Sequence, residues 1–347
     1  MTNALTPECP DCSGVPRRDF LRAVSASAAA LAVAAVFPPT SPLSPLSVVR
    51  AARLKKQAEA EDLVFELYKS MGTDQRKKLV LPWDTGLTKT TPAARLGTHN
   101  APVGKTIIGE EYDKKQGELL HKLFKSLCNG EEGYERLSRH KDFDNSGAFE
   151  NIGATIYGEP VEGKKFSLVF AGHHITLRCD GDSEANYAFG GPLYYGHTPN
   201  GYNAKNVFNY QTKIVGDVFE SLTADQRKTG VLAGKWKDGV ASVQLPAKDA
   251  KLPGIGYAAL GKEQQELTRK VMKELVAPYR KEDGDEVMEI ISANGGFEKL
   301  SLAFYEEVKP TAKEPWTFWR LEGPGFVWSF RALPHVHTFV NINSKLG

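Results

Sequence analysis

Apolar residues recur along the chain at two periods, and each period predicts one kind of element. In residues 109–127 leucine and phenylalanine follow the three-and-four spacing of one helix face. In residues 166–170 apolar side chains alternate, with Phe166, Leu168 and Phe170 on one face of a strand. Dense aromatic residues at this spacing are typical of a core. The sequence therefore predicts both amphipathic helices and buried strands.

The same succession of elements occurs twice. The DQRK that begins at Asp74 returns at Asp225. Residues 109–127 resemble residues 257–275, and residues 164–179 resemble residues 314–330, each at an offset of about 150 residues. The alignment also places Tyr157 against Tyr305. The pattern predicts a helix, a loop, a second helix and a pair of strands in each half. We predict an α+β protein whose two repeat units, residues 60–205 and 215–347, share one antiparallel sheet.

The first 47 residues predict an export signal and a linker. The adjacent Arg17 and Arg18 precede an uncharged, alanine-rich run, which resembles a twin-arginine signal, although Pro16 replaces the usual Ser or Thr. The run is short for a membrane span, so we favour cleavage over an uncleaved anchor. The prediction is a periplasmic or extracellular protein with no stable span after signal removal.

Charge and cysteine content indicate which partners are unlikely and what state the thiols are in. The 347 residues include 44 basic and 42 acidic side chains, a formal net charge of +2. A scattered, balanced charge makes nucleic acid an unlikely partner. Cys9 and Cys12 precede the arginine pair, whereas Cys128 and Cys179 belong to the mature chain as a disulfide or as two buried thiols.

The histidines are the strongest candidates for chemistry. His335 and His337 form an HxH pair, whose imidazoles project from one face of a strand. Together with His173, His174 and His197 they predict a histidine-rich site for zinc, copper or iron. The competing interpretation is a set of core or surface histidines with no ligand.

Two expectations accompany that site. The doublet of His173 and His174 lies within an otherwise strand-like segment, so the two rings are expected on opposite faces. Carboxylates that fix the tautomers of metal ligands are expected from Asp180, Asp182 or Glu322. A calcium loop at residues 142–150 is disfavoured, because the position of its bidentate glutamate holds a glycine.

Several motifs also resemble a known family. GEP, GHH, a G-x-x-P loop, LEGP and HxHT follow one another between residues 158 and 338. In this order they resemble the domain-of-unknown-function family numbered 3500, over roughly residues 60–340. The resemblance implies an exported bacterial protein and no established activity. The RDPxNDYG ending common in that family is replaced here, so no role rests on its Arg-Asp pair.

Two functional classes follow. One is an exported metal-dependent enzyme, with the five histidines as ligands and Glu322 as general base. The other is a non-catalytic exported protein that binds a small molecule in an aromatic-lined cleft, with structural histidines. Turnover, substrate and oligomeric state are left open by the sequence.

Overall fold

One mixed β-sheet runs through the part of the chain described by the computed structural model, residues 59–234, 238–247, 249–306 and 310–344. Its strand order is β1-β2-β3-β4-β5-β11-β10-β9-β8-β6, and β7 also pairs with β8. The strands are β1 Val80–Leu81, β2 Gly153–Gly158, β3 Phe166–Gly172, β4 Ile175–Cys179, β5 Leu193–His197, β6 Val231–Ala233, β7 Ile255–Gly256, β8 Ser301–Glu306, β9 Phe318–Gly323, β10 Phe326–Arg331 and β11 Val336–Ile342.

Helices pack against one face of this sheet. They are α1 at residues 59–70, α2 Thr73–Leu79, α3 Ile108–Glu111, α4 Lys114–Ser126, α5 Gly130–Leu137, α6 Asn209–Ser221, α7 Ala224–Gly230, α8 Lys262–Val276 and α9 Lys281–Ala293. Helix α4 confirms the amphipathic pattern, since Leu120, Leu123 and Phe124 are buried in the core. Asp113 starts this helix by accepting the Gln116 amide N–H in a capping box.

The alternation of the strands separates an apolar face from a polar one. Leu168 and Phe170 of β3 join the core beneath the helices. On the opposite face, buried Arg178 of β4 donates to the carbonyl of Arg95, and buried Arg320 of β9 donates to that of Ser242. These carbonyls belong to the short 3₁₀ helices Ala94–Leu96 and Val240–Val243, so segments outside the α-helices contact this polar face.

The α+β class is confirmed, but the sheet is mixed rather than antiparallel. The short strands β1 and β6 run parallel to β2 and β8, respectively. Helices α3 to α5 lie between β1 and β2, and α8 and α9 lie between β6 and β8. Such long connections allow parallel pairing, whereas the inner strands are antiparallel neighbours.

Three further sequence predictions concern the N-terminal signal, membrane spans and the cysteines. The predicted signal and linker, residues 1–47, lie outside the described residues. Among the described residues, no helix is both long and apolar enough to cross a membrane. Cys128 and Cys179 are both buried free thiols.

Candidate metal centre

Three imidazoles converge on the polar face of the sheet. The Nε2 atom of His337 lies 3.0 Å from Nε2 of His174 and 2.8 Å from Nε2 of His335. One nitrogen from each ring lies within 4.8 Å of the others. We refer to His174, His335 and His337 as the histidine triad.

His174 enters the triad from a turn, which corrects the expectation of a strand. His173 and His174 form the two-residue connection between β3 and β4, flanked by the paired Gly172 and Ile175. His174 has a φ of 56°, in the left-handed region that some tight turns require. The two rings consequently lie side by side, with centroids 3.8 Å apart, and not on opposite faces.

A glycine makes room for the His174 ring. A Cβ atom on Gly196 of β5 would lie 3.1 Å from Cγ and Cδ2 of His174 and only 2.4 Å from the carbonyl oxygen of Val336. The backbone of Gly196 also donates its N–H to the carbonyl of His174. The absence of a side chain at this position therefore lets the turn approach β5 and β11 closely.

The other two histidines of the triad lie at the start of β11. His337 pairs with Arg331 of β10 in the antiparallel ladder, and His335 precedes the strand by one residue. Both rings point to the polar face, as the HxH spacing predicted. Arg331 donates its Nε proton to the carbonyl of His335 at 3.3 Å, which fixes the segment before the strand.

Two carboxylates contact the Nδ1 atoms of two of the three histidines. Asp144 accepts a hydrogen bond from Nδ1 of His174, and Asp238 lies 2.9 Å from Nδ1 of His337. Asp238 is itself paired with the guanidinium of Arg331. This arrangement places the Nδ1 proton on each ring and turns the Nε2 lone pair toward the triad.

The carboxylates expected from the sequence lie elsewhere. Asp180 accepts the backbone N–H groups of Asp182 and Glu184 within its own turn. Glu322 is buried beside Arg320, whose Nε lies 2.9 Å from its carboxylate. Each of these acids therefore serves local structure.

Glu322 is also too far away to act as the general base of the triad. Phe318 of β9 lies in the same row as Arg331 and His337, and Glu322 comes four residues later. At about 3.3 Å per residue this separation is about 13 Å along the sheet.

An unusual backbone segment presents Asp144. Five non-glycine residues between Arg139 and Asp144 have positive φ values. This left-handed region is costly for residues that carry a Cβ atom, and it persists only where surrounding contacts hold it. Buried Arg139 supplies one such contact by donating to the carbonyl of His173 at 3.1 Å.

The two remaining predicted ligands do not join the triad. Nδ1 of His173 lies 3.0 Å from the same Asp144 oxygen that contacts His174, so His173 borders the site. His197 lies next to Gly196 on β5 and therefore points to the opposite face. There its Nδ1 accepts the backbone N–H of Val207 at 3.0 Å.

The triad is neutral near pH 7. Burial lowers the pKa of His174 to about 4 and that of His335 to about 4, and it also lowers the pKa of His337. Burial opposes ionisation of Asp144, but the hydrogen bond and charge of His174 prevail and keep its pKa below the usual value. Neutral imidazole is the form that binds a metal.

These tautomers direct the Nε2 lone pairs of two histidines at each other, and a cation between them would remove the repulsion. With both Nδ1 protons directed at carboxylates, neutral His174 and His337 face each other through two Nε2 lone pairs at 3.0 Å. Neither can donate to the other. Two nitrogens bound to one tetrahedral zinc ion at about 2.0–2.1 Å lie about 3.3–3.4 Å apart, so the observed contacts of 3.0 and 2.8 Å lie within about 0.6 Å of the spacing of a shared cation.

The fold and this cluster define an α+β protein with a histidine cluster that could bind a metal ion. Residues 93–343 match the model of the family described as "Protein of unknown function (DUF3500)". The chain therefore belongs to that family, as the order of its motifs predicted. Searches of curated proteins and of solved structures found no significant match.

Proposed function

We propose that the protein is an exported metal-dependent enzyme whose cation is bound by the histidine triad. The observation that carries the proposal is the convergence of three Nε2 atoms while carboxylates occupy Nδ1 of two of the rings. A purely structural set of histidines has no need for lone pairs directed at one another. Imidazole nitrogens suit zinc, copper and iron.

The composition of the site favours catalysis over a structural metal. Three protein ligands leave a coordination position for water or substrate, as catalytic zinc sites do. A dication with three neutral ligands keeps its full charge and lowers the pKa of a water molecule in that position. The side chains of His173 and Asp238 are 32% and 27% exposed, so a small molecule reaches the rim of the site.

The polar surroundings distinguish this proposal from the non-catalytic alternative. A protein that only holds an apolar molecule needs an apolar cleft. The triad instead lies beside two carboxylates, which Arg139 and Arg331 balance in charge. These groups orient ligands and offer hydrogen bonds to a polar substrate.

Metal analysis tests the proposal directly. The protein is purified from its native compartment, and its metal content is measured before and after removal of metal by a chelator and reloading. We expect about one transition-metal ion per chain, and its loss in a variant with His335→Ala and His337→Ala. His140→Asn is the matched control, since His140 is exposed, pairs with Glu135 outside the triad and has a φ of 59°, which asparagine tolerates. A wild-type protein that neither carries nor takes up such a metal would contradict the proposal.

We also propose that the two halves, residues 60–205 and 215–347, are copies of one unit. The registers of the two parallel pairs support this: Leu81 pairs with Tyr157, and Leu232 pairs with Tyr305. In the sequence alignment Tyr157 corresponds to Tyr305. Both pairs lie at the start of a four-stranded antiparallel run, β2 to β5 or β8 to β11.

Matching side-chain contacts add to that support. Gln75 and Gln116 exchange two amide hydrogen bonds of 2.7 and 3.0 Å, and Gln226 and Gln264 exchange two of 2.9 and 2.7 Å. In each pair one glutamine belongs to a DQRK motif, and the other sits at the third position of a capped helix. Convergence on the same pair of contacts is a simple consequence of duplication.

Export by the twin-arginine route completes the proposal. Arg17 and Arg18 before an uncharged apolar run support it. That route carries folded proteins, which suits a metal site assembled from distant segments.

A further inference from the structure

We propose that the Tyr194 hydroxyl donates a hydrogen bond to an anionic oxygen ligand, such as a carboxylate or hydroxamate, bound at the open position of the triad's cation. This inference rests on the proposed metal site. It adds a ligand-binding residue and the chemical class of the ligand.

Tyr194 is fixed beside the triad. Its ring lies on the same face of β5 as Gly196, 5.5 Å from the His337 ring and 6.2 Å from the His174 ring, between centroids. Phe339, its partner on β11, stacks on it at 4.7 Å. The ring is only 2% exposed, so it has little freedom to turn away.

The hydroxyl of Tyr194 is available to a ligand. Among the described residues, none forms a hydrogen bond with it. By contrast, the neighbouring Tyr195 points to the helices and donates to Gln211 at 3.0 Å. The Tyr194 hydroxyl oxygen does not belong to the fully buried side-chain atoms that lack a partner, so a ligand beside the candidate metal site can reach it.

The protonation state of Tyr194 suits a donor. Burial raises the pKa of Tyr194 well above its usual value, and the charge of Asp238 acts in the same direction. Arg331, Arg139 and Asp144 also act on this hydroxyl. A neutral tyrosine hydroxyl can donate one hydrogen bond.

The charge of the site selects an anion. The two carboxylates are balanced by two guanidiniums, and the three ligands are neutral, so a dication brings two uncompensated positive charges. An anionic oxygen ligand offsets part of this charge and accepts the tyrosine proton in a charge-assisted hydrogen bond.

The test uses cobalt(II)-loaded protein and acetohydroxamate as the probe. Binding is followed through the visible spectrum of cobalt in wild type, Tyr194→Phe and the matched control Tyr195→Phe. We expect equal cobalt content in all three, and about ten-fold or greater weakening of acetohydroxamate binding in Tyr194→Phe alone. The control removes a hydroxyl from the opposite face.

The outcomes separate this inference from the metal proposal. Equal acetohydroxamate affinity in Tyr194→Phe and wild type overturns the role of Tyr194 while leaving the metal site intact. Equal weakening in both variants, or loss of cobalt from Tyr194→Phe, assigns the residue to structural support and also overturns the role. A wild-type protein that binds no cobalt overturns both proposals.

Discussion

The Nε2 atoms of His174 and His337 approach to 3.0 Å although 163 residues separate them in the chain. Each ring is held from behind by a carboxylate, Asp144 or Asp238, which leaves no proton on either Nε2 in the neutral state. The contact is therefore repulsive until a cation or a proton lies between the two atoms.

Removing the charge of Asp144 should weaken metal binding without removing a ligand. In Asp144→Asn the acceptor for Nδ1 of His174 is neutral, so the imidazole becomes a poorer ligand. We expect metal affinity to fall about 10–100-fold, measured by competition with a chromophoric chelator. Asp142→Asn is the matched control, because Asp142 is exposed and lies two residues away. An unchanged affinity in Asp144→Asn would show that Asp144 does not tune the ligand.

The metal-free protein should lose stability in mild acid. Histidine titrates at 6.5 in the unfolded chain, whereas the pKa of His174 and that of His335 are both about 4 in the folded protein. Between these values unfolding takes up protons, so the free energy of unfolding is highest above about pH 6.5 and decreases as the pH falls toward 4. Urea unfolding at a series of pH values measures this dependence.

The variant His335→Gln provides the comparison for the pH experiment. It removes one of the most strongly depressed pKa values, so the free energy of unfolding should change less steeply with pH. A slope identical to that of wild type would mean that His335 does not titrate as an isolated buried imidazole.

Exchanging the turn of the first half for that of the second should remove the metal and keep the fold. Pro324 and Gly325 form the two-residue connection between β9 and β10, and Gly325 has a φ of 66°, close to the 56° of His174. We therefore expect His173→Pro with His174→Gly to preserve the turn. Asp144→Asn is added because the Asp144 carboxylate would otherwise lose its contacts with the two imidazoles.

Circular dichroism and metal analysis decide the outcome of the exchange. A folded variant without metal agrees both with duplication and with His174 as a ligand. An unfolded variant would argue that the two turns are not equivalent, and a folded variant that retains its metal would exclude His174 from the site.

Export should depend on the arginine pair. A reporter fused to residues 1–50 should reach the periplasm, and Arg17→Lys with Arg18→Lys should block its passage, as measured by cell fractionation. The control is Arg50→Lys in the same fusion, a change of the same kind outside the pair. Normal export of the double variant would contradict the twin-arginine route.

The sequence predicted those features that depend on a regular period. Alternation along a strand placed His335 and His337 on one face, and the three-and-four spacing identified α4. The turn at His173 and His174 was missed because apolar residues continue on both sides of it. Its signal was nevertheless present, since the repeat aligns this doublet with Pro324 and Gly325, a pair that favours turns.

The carboxylates could not be predicted from the sequence. Asp144 lies 30 residues from His174, in a left-handed segment, and Asp238 lies 99 residues from His337, in a loop. No periodicity connects such positions, and contacts between loops depend on the tertiary fold. Asp180, Asp182 and Glu322 were favoured because they lie near the histidines in sequence, which says little about their distance in space.

The joining of His174 to His337 has a consequence for how the protein withstands heat. A cation held by both residues acts as a reversible cross-link that closes a loop of 163 residues, as a disulfide would. The bridge joins the β3–β4 turn to the beginning of β11, on either side of the β5–β11 seam at the centre of the sheet. If the triad binds a cation, this seam would not open without releasing the ion, and thermal unfolding would be coupled to dissociation of the metal.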